Sequence, residues 1–283
     1  MEIGIRDARP EDREDVLGFA SETWDGWDYI PEVWEDWIEE GDLLVGDVEG
    51  TVVGVIHLVG VSEDEAWIEG LRVDPDYRRE GVATRLIEAA EERAREGGRQ
   101  VIRCMVFRSN GVGQDLFDDL GFGHVASLRH ARAFGFPYST RLERDENEEF
   151  ADVVEGTEAH EEMGGLYVCD WRAASLGNGS LEDVDFDPLY LRDEDGETVG
   201  ACLPTGVRVN TTEEDDRDEL VMGFAWAKTR YITDLGLQMR TEARVEDADD
   251  VLAFVPDDPD YVNSLESAGY EVSDAVSVYE KLV

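Results

Sequence analysis

Apolar positions recur along this chain at two spacings, every second residue or every third and fourth, and segments of the two kinds alternate. IGIR, residues 3–6, has the pattern of a short strand. Pro10 opens a helix, PEDREDVLGFASETW, with acids in its first turn, where the helix dipole favours them. A second helix, PEVWEDWIEE, begins at Pro31. Two strands, DLLVGDV and TVVGVIHLVG, meet across Glu49-Gly50, and a third, AWIEGLRV, ends at Asp74-Pro75. Val82, Ala83, Leu86, Ile87, Ala90 and Ala94 then recur at helical spacing until Gly97-Gly98 stops the helix. VIRCMVF is a strand, QDLFDDLGF a short helix closed by Gly121, and HVASLRHARAF a further strand.

Part of this order returns in the second half. At a constant offset Leu43 matches Leu189, Asp47 matches Asp193, Gly50 matches Gly196, Val53 matches Val199 and Gly54 matches Gly200. Later, LFDDLGF (116–122) echoes SLESAGY (264–270), VLAFVP (251–256) stands where VIRCMVF stood, and Ile232, Leu235 and Met239 stand near where the first long helix stood. A generic hairpin would produce some of these matches, but agreement in order and spacing at both ends favours a tandem fold. The stretch from about Thr140 to Gly165 is acidic and poor in apolar residues. The expected organisation is therefore a domain at 1–139, an acidic linker at 140–165 and a second domain at 166–283.

Composition adds one strong feature. Against 25 Lys and Arg stand 69 Asp and Glu, a formal charge of −44 over 283 residues, and Lys228 and Lys281 are the only lysines. The acids are spread through periodic segments that contain apolar residues, which argues against a disordered tail. This is the composition of a halophilic, cytoplasmic protein. At about 1 M salt the Debye length is about 3 Å, and the self-repulsion of such a surface is screened. The charge then reflects the solvent and says little about the substrate. There is no basic stripe, so nucleic acid is not an expected partner. No apolar run of about 18 residues appears, so no membrane partner is expected either. The N-terminal MEIGIRDARPEDRED has no apolar signal core. Cys104, Cys169 and Cys202 each lie in an apolar, strand-like run and read as buried reduced thiols. His57, His124, His130 and His160 show no metal-ligand spacing, and His57 reads as a strand residue rather than a base.

One segment runs against the acidity. In DYRREGVATRL, residues 76–86, Arg78, Arg79 and Arg85 surround Gly81 between a strand and an amphipathic helix. Gly81 permits a tight backbone turn, and free N–H groups at the helix start, with the helix dipole, suit an anion such as a pyrophosphate. Arg78 and Arg79 reinforce the charge. A surface turn with chance arginines has the same local pattern, so the surroundings decide.

Those surroundings resemble the GNAT N-acetyltransferase superfamily. Its signature, Arg/Gln-x-x-Gly-x-Gly/Ala after a strand ending in Val-Asp-Pro, is met by Arg78, Gly81 and Ala83 after Val73-Asp74-Pro75. The Asn, aromatic and Gly-Phe that often follow are Asn110, Phe117, Gly121 and Phe122. The resemblance covers roughly residues 1–130. It implies a mixed α+β fold, a central twisted mixed sheet flanked by helices, here in two tandem copies of which the second has no counterpart of RREGVA. It also implies acetyl-CoA as cofactor. Its pyrophosphate would be held by the backbone at Arg79, Gly81, Val82, Ala83 and Thr84 with Arg78 beside them. Its pantetheine would lie along the strand edge Leu71, Arg72 and Val73, and Asn110 would touch it. Phe117 stands where many members have a tyrosine that protonates the leaving thiolate, and it has no proton to give.

On the acceptor side, a splay between AWIEGLRV and VIRCMVF would expose N–H groups to the thioester carbonyl. Glu69 is the candidate base. It lies two residues before Leu71, and alternation would put both side chains on one face. Tyr29, and with it Trp27, are candidates for binding the acceptor among Trp24, Asp25, Asp28, Trp34 and Trp37; Trp34 and Trp37 also read as core. Tyr29 and Tyr77 are the candidate replacements for the missing acid. WDGWDYIPEVWEDWI with IEGLRVDPDYRREGVA is similar, more narrowly, to a histidine N-acetyltransferase group, through Asp28, Tyr29, Ile30, Pro31, Glu69 to Val73, and Pro75. The expected function is acetyl transfer to a small-molecule amine or amino acid. Protein N-acetylation and a non-catalytic acetyl-CoA sensor are the alternatives, and the second domain would cap the acceptor site.

Overall fold

The computed structural model describes residues 2–21, 23, 28–137, 139–144, 149–177, 181, 184–211 and 216–283. Along the chain run β1 (Gly4–Asp7), α1 (Arg13–Ala20), α2 (Ile30–Glu40), β2 (Leu43–Val48), β3 (Thr51–Gly60), β4 (Glu65–Val73), α3 (Val82–Glu96), β5 (Val101–Phe107), α4 (Gly111–Asp119) and β6 (Gly123–Phe134). Then follow β7 (Leu142–Arg144), α5 (Phe150–Val154), α6 (Glu158–Glu162), β8 (Leu166–Cys169), β9 (Arg172–Ser175), β10 (Leu189–Arg192), β11 (Thr198–Thr211) and β12 (Asp216–Ala227). Last come α7 (Ile232–Val245), β13 (Asp250–Pro256), α8 (Pro259–Ser267), β14 (Glu271–Val272) and β15 (Val276–Leu282). The fold is mixed α/β, mixed sheets with helices against them.

Two compact units emerge, one of Met1–Cys104, Asp115–Gly123 and Tyr279–Val283, the other of Met105–Gln114 and His124–Val278. This division differs from the expected boundaries. The last residues of the chain belong to the first unit, where Arg103 Nε donates to Glu280 at 2.7 Å and Lys281 Nζ to Glu91 at 2.7 Å. The stretch expected as a linker carries β7, α5 and α6, and buries Phe150, Val154, Ala159 and Met163. Few apolar residues suffice there because most of them face inward.

In the first unit the strand order is β1–β2–β3–β4–β5, antiparallel except for β4 with β5. Glu49 and Gly50, both at positive φ, turn β2 into β3, and Gly50 N–H donates to Asp47 at 2.8 Å. Alternation sorts the two sheet faces. Val45 and Val55 point to a core with Val16, Phe19, Ile30, Trp34 and Trp37 of α1 and α2. Gly46 and Gly54, paired across β2 and β3, face α3 instead. A Cβ at Gly54 would lie 2.8 Å from Val82 Cγ1 and 3.0 Å from Leu86 Cδ1. The missing side chains seat the first turn of α3 on the sheet. Val82, Leu86, Ile87, Ala90 and Ala94 form its buried stripe, as their spacing predicts.

The second unit repeats the order. Hairpin β10–β11 precedes β12, α7, β13 and α8, and β12 with β13 is again parallel. Gly121 after α4 and Gly269 after α8 take φ of +80° and +85°. Two differences matter. The link from β12 to α7 is only Lys228–Tyr231. Where β12 bulges, Gly223 has no room for a side chain against the Val168 carbonyl of β8, to which Thr205 Oγ1 also donates at 2.9 Å.

Candidate functional site

The turn between β4 and α3 is built by local chemistry. Asp74 accepts from Asp76 N–H at 2.9 Å and opens a short 3-10 turn, Pro75–Tyr77. Arg79 and Gly81 then take φ of +63° and +87°. Gly81 is the N-cap of α3; no side chain caps this helix end and its first turn carries no acid. Arg85 N–H makes the first bond back, to Gly81 O at 3.1 Å, so the N–H groups of Val82, Ala83 and Thr84 stand ahead of it. Nothing lies within 4 Å of where a Gly81 Cβ would be. Arg78 and Arg79 are exposed, and Arg78 Nε donates to Val73 O at 3.3 Å. An open, uncapped helix N-terminus with two arginines fits an anion.

Next to the turn, β4 offers an edge. Its ladder with β5 ends at Ile68↔Cys104, while β4 continues to Val73. Among the described residues no strand pairs with Glu69–Val73 on that side. Leu71, Arg72 and Val73 thus have the open edge that an extended ligand needs.

On its other side β4 pairs with β3, and here the register corrects a sequence-based expectation. Val55 pairs with Arg72 and His57 with Glu69, so Gly70 and Leu71 together oppose Ile56. This bulge breaks the alternation that would have put Glu69 and Leu71 on one face. Glu69 and Arg72 share a face instead, the one covered by α2. Arg72 Nε donates to Asp28 at 2.7 Å, and its guanidinium lies over the Tyr29 ring at 5.3 Å. Tyr29 is half-buried and meets Trp37 edge-on at 6.0 Å. Burial pushes the Tyr29 hydroxyl above its ordinary value, with Arg72 opposing and Glu69 and Asp28 adding; a hydrogen bond from the Gly70 backbone opposes as well. Its proton therefore stays on at neutral pH.

Glu69 is held by a residue that sequence reasoning set aside. His57 Nδ1 lies 3.1 Å from Glu69 Oε1, and the imidazole, wholly buried, stacks on Trp37 at 4.5 Å. Its Nε2 stands 3.8 Å from Glu40 Oε2. Only the cross-strand register reveals the pair. Trp34 and Trp37 are buried, as their helical spacing predicts. Trp24, Asp25 and Trp27 lie outside the described residues.

The remaining candidates have packing roles in view. Asn110 accepts from Gly113 N–H at 3.0 Å and caps α4, which begins before the expected QDLFDDLGF. Phe117 is buried, edge-on to Phe122 at 5.0 Å and stacked on Tyr279 at 6.2 Å. All three cysteines are free; Cys104 and Cys202 are buried and Cys169 partly so. Among the described residues no cluster of His, Cys, Asp and Glu is arranged to hold a metal, and no helix is long and apolar enough to cross a membrane.

A family model described as the acetyltransferase (GNAT) family matches residues 11–122. Those residues are a GNAT acetyltransferase domain. The GNAT domain contains both the turn before α3 and Glu69. An uncharacterized N-acetyltransferase of Methanocaldococcus jannaschii is 28% identical over 134 residues, covering 42% of this chain and 59% of that protein. The histidine N-acetyltransferase of Xenopus tropicalis is 35% identical over 79 residues, 27% of this chain and 24% of that protein. The chain thus spans less than two thirds of the first relative and about a quarter of the second. A GCN5-related N-acetyltransferase of Sphaerobacter thermophilus matches in structure with a TM-score of 0.60 at 16% identity, over 99% of this chain and 95% of that one. At that identity the likeness is one of fold, and it extends beyond the GNAT domain.

Proposed function

We propose that the chain is an acetyl-CoA-dependent N-acetyltransferase acting on the amine of a small molecule, such as a free amino acid. The uncapped start of α3 at Gly81, beside the open edge of β4, carries this reading. It supplies an anion site and an extended edge in the order a nucleotide thioester requires. When bound, acetyl-CoA supplies an acetyl group activated as a thioester. The backbone N–H groups of Val82, Ala83 and Thr84, with Arg78 and Arg79, would hold its pyrophosphate, and Leu71 to Val73 its pantetheine arm. Asn110 is kept as a contact in the reading drawn from the family motif.

Glu69 takes the proton that the amine loses as its nitrogen attacks the thioester carbonyl; the new C–N bond forms as the C–S bond breaks. Tyr29 brings a half-buried ring to the Glu69 side of β4, a surface suited to an ammonium or amine, while Asp28, buried and paired with Arg72, and Trp37, buried against His57, support it from behind. Phe117 cannot protonate the thiolate. A free thiol has a pKa of about 8.5, so the thiolate is a tolerable leaving group, and Tyr29 keeps a proton to give. The weak likeness to histidine N-acetyltransferases supports a free amino acid as the acceptor class. Among the described residues the second unit, with its short β12–α7 link and its Gly223 bulge covered by β8, offers no comparable site; we read it as a tandem copy that binds no acetyl-CoA. The acidic surface is read as adaptation to a salt-rich cytoplasm.

The test is CoA release in high-salt buffer with a panel of free amino acids and primary amines. Release that depends on one class of amine supports the reading. Glu69→Gln should lower kcat for that amine by about 10²–10⁴-fold. Phe117 favours one second reading, an acetyl-CoA sensor, which would bind acetyl-CoA and release no CoA with any amine.

A further inference from the structure

We propose that His57 is a positioning residue for acetyl transfer, holding the Glu69 carboxylate in the orientation in which it takes the acceptor's proton. This rests on the reading of Glu69 as the base. The bulge at Gly70-Leu71 brings His57 and Glu69 opposite one another, and their side chains meet at 3.1 Å. An ionised carboxylate only accepts, so His57 Nδ1 carries the hydrogen and donates it to Oε1. The imidazole has little freedom, because Trp37 stacks on it at 4.5 Å with 24° between the planes. Trp37 in turn reaches it across a residue with no side chain. Gly70 sits at φ +64°, and a Cβ there would lie 2.5 Å from Trp37 Cη2. One glycine, one indole and one imidazole thus form a continuous support behind Glu69.

Packing alone does not account for a histidine here. The position is wholly buried against the Trp37 ring, where leucine or phenylalanine would fill the space with no polar group to satisfy. Burying an imidazole costs free energy unless its nitrogens are partnered. Here Nδ1 is bonded, while Nε2 has no hydrogen-bond partner and only faces the Glu40 carboxylate at 3.8 Å. The polar group is kept at that cost, and the bond it makes is to Glu69.

Turnover is measured with acetyl-CoA and whichever member of the amine panel gives the fastest CoA release, for the wild-type chain and for His57→Leu, His57→Asn and Glu69→Gln. His57→Leu should lower kcat about 10- to 100-fold, the cost of a misplaced catalytic group. The KM for acetyl-CoA should stay within about twofold, since His57 lies off the β4–α3 turn. Asparagine can place an N–H near the Nδ1 position, so His57→Asn should recover most of the loss. Imidazole nitrogen NMR of the full chain should show a protonated Nδ1 on His57 whose resonance moves in Glu69→Gln. If His57→Leu does not fold, the Asn variant and the spectra decide. A normal kcat in His57→Leu with an impaired Glu69→Gln would overturn the positioning role alone, as would an Asn variant no better than Leu or an Nδ1 without a proton. A normal kcat in Glu69→Gln, or no release with any amine, would overturn the reading of the site and this inference with it.

Discussion

At Gly70 the backbone is left-handed and the Trp37 ring occupies the space of a side chain. Alanine there meets both a disfavoured φ and an indole that cannot withdraw without disturbing His57. Gly70→Ala should therefore cost about 1–3 kcal/mol by thermal or denaturant unfolding, and lower turnover with it. Asp12 makes a prediction of a different kind. Its carboxylate accepts from Arg6 at 2.7 and 2.8 Å and from Arg9 N–H at 2.8 Å, tying β1 to the entry of α1. The Arg6 hydrogen bonds hold its pKa below the ordinary 3.8. A group depressed in the folded state stabilises fully above its unfolded pKa and loses that contribution as pH falls through the folded value. Asp12→Asn should thus cost about 1–2 kcal/mol at neutral pH, and the difference from wild type should shrink below about pH 4. A gap that stayed constant down to low pH would show that Asp12 acts through packing alone.

Elements whose parts are neighbours in the chain are legible in the sequence, and contacts made across strands are not. The turn before α3 is legible because all its parts, Asp74-Pro75, Arg78 and Gly81, are neighbours in the chain. So are the hairpin at Glu49-Gly50 and the stripe of α3. The bulge in β4 is not legible, since it exists only in the register of β4 against β3, and it turned Arg72 rather than Leu71 to the side of Glu69. The role of His57 is not legible for the same reason: its partner is a cross-strand contact, not a spacing. Nor does alternation reveal that Lys281 and Glu280 of β15 pack with Glu91 and Arg103. The α3 turn yields its own prediction. Gly81→Val forces a β-branched residue into φ +87° and crowds the first free N–H groups. It should raise the Kd for acetyl-CoA about 5- to 30-fold in calorimetry, because binding must hold the turn in this geometry against roughly 1–2 kcal/mol of left-handed strain.

For the whole molecule, a charge of −44 is the dominant physical fact. Self-repulsion of such a surface weakens as salt shortens the Debye length from about 10 Å at 0.1 M to about 3 Å at 1 M. The midpoint of thermal unfolding should rise over that range; a midpoint that fell would remove the case for salt adaptation. The two units share an element order, yet the site elements differ: a turn with an open helix start in one, a four-residue link and a covered bulge in the other. Calorimetry should accordingly give one acetyl-CoA per chain. The most direct test of the account is mass spectrometry of the amine panel after incubation with the chain and acetyl-CoA in about 1 M salt, where the surface charge is screened. The wild-type chain should form an N-acetylated small amine, and that product should be lost in Glu69→Gln. Acetyl-CoA bound by the chain, with no acetylated amine formed from any member of the panel, would contradict it.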